Sequence, residues 1–192
     1  MKQMQIGCLG WGSLVWNPGV LPIRGKWFED GPLLPIEFAR RSRDGRITLV
    51  IVKDRPVVRT LWAILTSDNV QAAKKSLASR EGIKDENIGK HIGFWTDGGS
   101  NGECVDIISE WAKSHQLTAV VWTNLPPKFN GQENKAPTVG EVIQYLKDLR
   151  PIEKRRLAEE YISKAPPQVD TEYRREIKLQ LNWLKERTAA CA

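Results

Sequence analysis

Over the first two-thirds of the chain, short apolar runs alternate with turns rich in glycine, proline or aspartate. Runs of this kind, containing β-branched residues and bounded by turn residues, are typical of β-strands. We predict strands at residues 4–9, 46–53, 57–65, 91–95 and 118–124. The second and third of these are close neighbours along the chain, which favours an antiparallel hairpin.

Helical periodicity begins after residue 65 and dominates from residue 137 onward. Thr66-Ser67-Asp68 offers capping side chains to a helix that reaches about Ser79, and Gly82 suits the left-handed position that follows. A capping box at residues 100–103 predicts a second helix, through about residue 114. The C-terminal helices are predicted at residues 137–149, 151–164 and 171–187, with apolar positions such as Leu179, Trp183 and Leu184 packing on the core.

These elements predict an α+β fold, a small mixed β-barrel flanked by helices, with a helical C-terminal segment. A barrel is favoured because closure would hide strand edges that an open sheet leaves exposed. The domain organisation follows the change of pattern. Residues 1–135 form the barrel domain, and residues 136–192 form a helical extension packed on it.

Composition narrows the classes of function. The net charge of +6 is spread over both signs, and the cluster Arg40-Arg41-Ser42-Arg43 is too short for a nucleic-acid stripe. Three cysteines without C-x-x-C spacing argue against disulfides and a zinc knuckle, and the two histidines lie far apart. An all-carboxylate metal site stays open. Without a signal peptide or a membrane-length apolar run, we expect a cytoplasmic protein.

Two features carry candidate chemistry. In Gly10-Trp11-Gly12-Ser13-Leu14, glycines let successive N–H groups converge on an anion, although a plain turn has the same pattern. Glu81 stands at a helix C-terminus, where the helix dipole and burial would raise its pKa, although an exposed Glu is the common case there. Glu37 has apolar neighbours, which predict that it is buried. We interpret it as a structural residue or as one that positions the residues of the site, with Arg40 or Arg41 as its ion-pair partner.

The turn Gly10-Trp11-Gly12-Ser13-Leu14-Val15-Trp16 resembles the Y-G-S-L/N turn of the γ-glutamylcyclotransferase-like superfamily. Leu77-Ala78-Ser79-Arg80-Glu81-Gly82 resembles that superfamily's Leu-Asp-x-x-Glu-Gly block, and Val120-Val121-Trp122-Thr123-Asn124 resembles its closing barrel strand. The sequence departs from the family pattern in two places. Trp11 replaces the tyrosine, and Ala78 replaces the aspartate.

The resemblance implies a fold, a reaction and a site. It implies that Glu81 is the acid–base residue, that the backbone of residues 10–14 binds substrate, and that Trp16 and Trp122 line the pocket with Trp11. It implies cyclisation of a γ-glutamyl small molecule to 5-oxoproline without metal or cofactor. Two alternatives remain, a non-catalytic small-molecule-binding protein on the same fold and, from the charge alone, a nucleic-acid-associated protein.

Overall fold

The computed structural model describes residues 5–183 of the 192-residue chain. Within that range the backbone forms twelve strands and seven α-helices, so the predicted α+β class is confirmed. The strands are β1 (Ile6–Gly10), β2 (Ile23–Phe28), β3 (Leu33–Leu34), β4 (Ile36–Arg41), β5 (Ile47–Ile51), β6 (Val58–Arg59), β7 (Leu61–Leu65), β8 (Ile92–Thr96), β9 (Gly99–Asn101), β10 (Ala119–Thr123), β11 (Lys128–Phe129) and β12 (Gln132–Glu133). The helices are α1 (Ser13–Trp16), α2 (Val70–Glu81), α3 (Ile88–His91), α4 (Val105–Ser114), α5 (Val139–Asp148), α6 (Ile152–Lys164) and α7 (Glu172–Leu181).

Strand β1 lies in the middle of a six-stranded sheet with the order β2-β7-β1-β10-β8-β9. It pairs in parallel with β10 and antiparallel with β7, where Gly10 faces Leu61. All five residues of β1 are buried, as expected for a strand that is covered on both faces. Because β1 ends at Gly10, this central strand fixes the position of the turn that follows. None of the helices described is long and apolar enough to cross a membrane.

The predicted hairpin between residues 46–53 and 57–65 is wrong. Strand β5 pairs with β4, whereas β7 pairs with β1 on one side and with β2 on the other. A strand has two hydrogen-bonding edges, and both edges of β7 are occupied. The two segments are neighbours along the chain, yet they belong to different sheets.

The predicted closed barrel is also corrected. The described strands form three sheets, of six, four and two strands, and none of them closes on itself. Strands β2 and β9 are the two ends of the six-stranded sheet, while β4 pairs with β5 and β11 in the four-stranded sheet. Of the five strands predicted for the barrel, β5 makes its hydrogen bonds in this second sheet, and the six-stranded sheet stays open.

Helix α2 ends as predicted. Gly82 adopts φ 64° and ψ 30°, and its N–H donates to the carbonyl groups of Ala78 and Ser79. This left-handed residue is a common helix terminator because glycine has no Cβ to clash. The helix begins later than predicted, since Asn69 rather than Thr66-Ser67-Asp68 caps it, accepting from the N–H of Ala72 over 2.9 Å.

The predicted capping box at residues 100–103 is wrong. Residues Gly99–Asn101 form strand β9, which pairs with β8, so this segment is already hydrogen-bonded in the sheet. Helix α4 starts instead after Cys104, a residue with φ 60° that makes no side-chain cap. The helix itself lies where the apolar pattern predicted it.

Helices α5 to α7 contribute to the same core as the strands. Val142, Ile162 and Ile177 are buried in one cluster with Leu9 and Phe38. Trp183 also joins this cluster, as predicted, whereas Leu179 is 72% exposed. Leu184 and the end of the predicted 171–187 helix lie outside the described residues. The helices therefore share a core with the strands, and the division at residue 135 stays a prediction.

Glu37 anchors the last helix. Its side chain is buried and accepts hydrogen bonds from the Thr171 hydroxyl over 2.5 Å, from the Phe38 N–H over 2.8 Å and from the Tyr173 N–H over 3.2 Å. Burial raises the pKa of Glu37, and these donors oppose the shift. The predicted ion pair with Arg40 or Arg41 is wrong, because Arg40 donates to the Pro126 carbonyl and the Arg41 guanidinium lies 4.8 Å from the centre of the Tyr145 ring.

The contact between Thr171 and Glu37 should stabilise the protein beyond its role at the helix terminus. Thr171 also caps α7 through the N–H of Arg174, and Thr138 caps α5 through the N–H of Glu141, while its hydroxyl donates to the Glu141 carboxylate at the surface rather than to Glu37. We expect Thr171→Val to lower the free energy of unfolding by about 1–3 kcal/mol more than Thr138→Val does. Urea denaturation measures both, and equal losses would show that the buried carboxyl group gains nothing from Thr171.

Candidate active site

A cavity of about 310 Å³ lies between the end of β1, the end of α2 and helix α6. We call it the inner cavity. All five residues of the predicted turn, 10–14, line it together with Glu81. The structure thus brings the two sequence-predicted features to one place. Residues 10 and 81 are 71 positions apart, and β1 and α2 bring them together by packing in one hydrophobic cluster.

The turn is more ordered than a plain loop. Residues Ser13–Trp16 form the single helical turn α1, closed by hydrogen bonds from the Val15 N–H to the Gly12 carbonyl and from the Asn17 N–H to the Ser13 carbonyl, both 2.9 Å. This helical turn was not predicted from the sequence. The first N–H groups of such a turn have no acceptor within it. No side chain caps them, since Gly12 occupies the N-cap position.

Gly12 is required by a close approach. A Cβ on this residue would lie 2.5 Å from the Tyr161 hydroxyl oxygen, nearer than any real Cβ contact. Tyr161 belongs to α6, is 5% exposed, and accepts a hydrogen bond from the Leu49 N–H over 3.4 Å. Burial raises the pKa of Tyr161 to about 12, so its hydroxyl stays protonated at neutral pH. No pattern in the sequence predicts that α6 contributes to this site.

Glu81 is the last residue of α2, and its side chain is 18% exposed. Burial raises the pKa of its carboxyl group above the ordinary value, and the guanidinium of Arg80 pulls in the opposite direction. The two side chains form an ion pair of 2.6 Å. The net result is a carboxyl group that gives up its proton less readily than a surface glutamate, which is the property that general acid–base chemistry needs.

Arg80 fixes Glu81 relative to the turn. Besides Glu81, it donates to the Ser13 hydroxyl over 3.1 Å and to the Asn17 carbonyl over 2.7 Å. One guanidinium therefore joins the end of α2 to both ends of α1. Sequence reasoning missed this residue, although a cation beside a glutamate in the last turn of a helix is a recognisable pattern.

Two further arginines, Arg40 and Arg46, line the inner cavity, and among the described residues its other charged groups are Arg80 and Glu81. Arg40 donates to the Pro126 carbonyl over 2.7 Å, and burial lowers its pKa. Arg46 pairs with Asp44 over 2.7 Å, and its guanidinium lies 5.2 Å from the centre of the Tyr161 ring. With Arg80 engaged by Glu81, the cavity has an excess of positive charge that suits an anionic ligand.

The three tryptophans predicted at the pocket have different places. Trp11 lines the inner cavity but is 5% exposed, and its Nε1 donates to the Leu49 carbonyl over 3.2 Å. Trp16 packs edge-on against Tyr161 with ring centres 5.4 Å apart. Trp122 is fully buried and belongs to the core, while the next residue, Thr123, reaches the cavity.

The close approach of Gly12 to Tyr161 predicts an overpacking effect. We expect Gly12→Ala to lower the free energy of unfolding by about 1–3 kcal/mol, because the added methyl group displaces a buried hydroxyl. In a Tyr161→Phe background the same substitution should cost less, since the clashing oxygen is gone. Urea denaturation of the four proteins measures the coupling.

Gly140→Ala is the matched control, because a Cβ at Gly140 meets no atom within 4 Å. It lies in α5, where alanine is favoured over glycine, so this variant should be as stable as the wild type or more so. A cost of Gly12→Ala that is unchanged by Tyr161→Phe would contradict the close approach as its cause.

No model of a known protein family and no curated protein matches the sequence. The resemblance of residues 10–16 and 77–82 to the γ-glutamylcyclotransferase-like superfamily therefore stays a prediction. What the site can do follows from the contacts, burial and charges of its own residues.

Proposed function

We propose that this protein cyclises the γ-glutamyl group of a small molecule to 5-oxoproline and releases an amine or amino acid. The observation that carries the proposal is the position of Glu81, a carboxyl group of raised pKa in a cavity bordered by the Gly10–Leu14 turn. The resemblance of both segments to the γ-glutamylcyclotransferase-like superfamily supports the same reaction.

The reaction needs one group that handles protons. The substrate α-ammonium gives up a proton to become a nucleophile, its nitrogen bonds to the side-chain carbonyl carbon, and it loses a second proton as the ring closes. The bond from that carbon to the departing nitrogen breaks, and the departing nitrogen takes up both protons and leaves as an ammonium group. A single carboxylate of raised pKa can accept a proton and return it. In this proposal Glu81 has that role.

The carbonyl oxygen gains negative charge while the ring closes, and hydrogen-bond donors must meet it. The inner cavity offers the leading N–H groups of α1 and the Tyr161 hydroxyl. Because the Tyr161 oxygen already accepts from the Leu49 N–H, its own proton is free to point into the cavity. This phenol stands beside Gly12, next to the position where Trp11 replaces the superfamily's tyrosine. Tyr161 thus offers a hydroxyl that Trp11 cannot.

The substrate carboxylate needs a cation. Arg40 and Arg46 are the arginines of the inner cavity that are not paired with Glu81. A guanidinium binds a carboxylate with two parallel hydrogen bonds, which fixes orientation as well as position. Since ring closure is intramolecular, holding the folded-back conformer contributes much of the rate.

The second candidate is a protein that binds a small anion without turning it over. The ion pair of 2.6 Å between Glu81 and Arg80 favours it, because a carboxylate held this closely can have a purely structural role. The two candidates differ in one respect that can be measured. Only the enzyme releases 5-oxoproline.

Glu81→Gln tests the proposal directly. The amide keeps the shape of the side chain and removes the base, so we expect the rate of 5-oxoproline release to fall by about 10²–10⁴. The assay uses a panel of γ-glutamyl amino acids, γ-glutamylamines and glutathione. Glu86→Gln is the matched control, because Glu86 is exposed and lies outside the cavity, and it should keep the full rate.

Equal rates in the wild type and in Glu81→Gln would reject Glu81 as the base. Release of 5-oxoproline from none of the compounds, together with tight binding of one of them, would favour the binding protein instead.

The raised pKa of Glu81 predicts two pH effects of known sign. The acid limb of kcat/KM should lie above the ordinary glutamate pKa of about 4.3, because the base works only when deprotonated. Folding also raises the affinity of Glu81 for its proton, so the wild type loses stability as the pH rises through the folded-state pKa. Glu81→Gln lacks this loss.

The melting temperature of Glu81→Gln relative to the wild type should therefore increase between about pH 4 and pH 8. Thermal unfolding across that range measures it. A relative melting temperature that falls with rising pH would mean that the ion pair with Arg80 outweighs burial.

A further inference from the structure

The net charge of the chain comes from two short segments. Residues 40–46 contain four arginines and one aspartate, and residues 147–156 contain five cationic and two acidic residues. Each segment therefore has a net charge of +3. Together they account for the +6 of the whole chain, and the other residues hold equal numbers of cations and carboxylates.

The fold places these two segments side by side. The Tyr145 hydroxyl of α5 donates to the Gly45 carbonyl over 2.6 Å, although the two residues are 100 positions apart. A Cβ on Gly45 would lie 3.4 Å from the Lys154 side chain and 3.6 Å from that of Leu149. The turn between β4 and β5 is thus packed against the end of α5 and the start of α6. The cationic cluster that is short in the sequence continues across this contact.

Four exposed cations lie at the contact, and we call them the basic patch: Arg41, Arg43, Arg150 and Lys154. The Arg41 guanidinium lies 4.8 Å from the centre of the Tyr145 ring, and Arg43 belongs to the turn that contains Gly45. Arg150 donates to the carbonyl of Leu149 over 3.0 Å, and the Leu149 side chain lies beside Gly45. The four charges therefore share one part of the surface.

The charges of the basic patch are not neutralised within the described part of the chain. The ion pairs formed there include none of the four cations. Of the three carboxylates in the two segments, Asp44 is paired with Arg46 over 2.7 Å, and Asp148 accepts a hydrogen bond within its own helix. Only Glu153 is left to offset the patch. An excess of one sign of charge attracts a partner of the opposite sign.

The side chains of the patch select among anionic partners. Three of the four are arginines, and a guanidinium can bind two phosphate oxygens at once. Binding to a bilayer surface requires apolar side chains that insert, and Ile152 is the only large one exposed in the two segments. The Tyr145 ring lies under the Arg41 guanidinium, so it is not free to stack on a base. These features suit a row of phosphates rather than lipid or unstacked bases.

We propose that the basic patch binds the phosphate backbone of a nucleic acid without reading its sequence. Contacts with phosphates position a protein on a nucleic acid but carry no base information. The inference is independent of the proposed cyclisation, because none of the four cations lines the inner cavity.

Fluorescence anisotropy with a short labelled DNA duplex measures this binding. We expect a Kd of about 1–100 µM near physiological salt, the range of non-specific binding, and the same value for two unrelated sequences. The logarithm of the association constant should fall with the logarithm of the salt concentration with a slope of about −3 to −4, because four phosphates are neutralised. The same measurement with an RNA duplex identifies which of the two nucleic acids binds more tightly.

Removal of charge tests the patch itself. The triple variant Arg41→Gln, Arg43→Gln, Lys154→Gln should weaken binding at low salt by at least about tenfold and bring the slope to about −1. A matched control removes three exposed cations from other parts of the chain, Arg24→Gln, Lys26→Gln and Lys75→Gln, and should keep the slope of the wild type. Equal effects of the two triple variants would mean that net charge alone matters and would overturn the inference.

Two further variants guard against a folding defect. Arg41→Lys combined with Arg43→Lys keeps both charges, so the slope should not change. Arg43→Gln alone removes one exposed turn residue and should reduce the slope by about one. An unchanged slope in Arg43→Gln would count against the patch, and so would binding of the wild type to phosphatidylserine vesicles but to neither duplex.

Discussion

The approach of the Tyr161 hydroxyl to the backbone of Gly12 is the constraint on which the rest of the site depends. It joins helix α6 to the turn at the end of β1, two parts of the chain that are 149 positions apart. The contact is possible because Gly12 has no Cβ, and Tyr161 cannot retreat because Trp16 and Phe38 pack against its ring. The same tyrosine lines both the inner cavity and a neighbouring cleft of about 780 Å³. Moving it would change both spaces at once.

Glu81 is governed by two opposed effects, of which burial is the larger. Burial disfavours the charged carboxylate, whereas Arg80 favours it at a distance of 2.6 Å. A surface ion pair contributes little, and a buried one often only offsets the desolvation of its members. Arg80 is also committed to Ser13 and Asn17, so it cannot move freely to neutralise Glu81. Burial therefore determines the direction of the pKa shift, and Arg80 determines where the carboxyl group points.

Local patterns were predictable from the sequence, and pairings were not. The end of α2 at Gly82 follows from the freedom of glycine to adopt positive φ, and the apolar run before Gly10 predicted strand β1. The placement of Glu81 beside residues 10–14 came from the resemblance, since local rules favoured an exposed Glu. The partner of β5 could not be predicted, because a short apolar strand can pair with several neighbours. Strand β7 is not available to it, since β1 and β2 occupy both edges of β7. Arg46 and Tyr161 were missed for a related reason. Nothing in their local sequence indicates that they meet across 115 positions.

Tyr161 also bears on the predicted resemblance of the turn, in which Trp11 stands where the superfamily pattern has a tyrosine. The turn alone lacks the hydroxyl group of that pattern. In the folded protein, Trp11 turns its only donor to the Leu49 carbonyl, and the Leu49 N–H donates to Tyr161. The same peptide segment thus holds both aromatic residues. The Trp11 indole is buried in the core, and the Tyr161 hydroxyl lies next to Gly12. A hydroxyl group that a motif places at one position can be supplied by a distant helix, provided that a glycine leaves room for it.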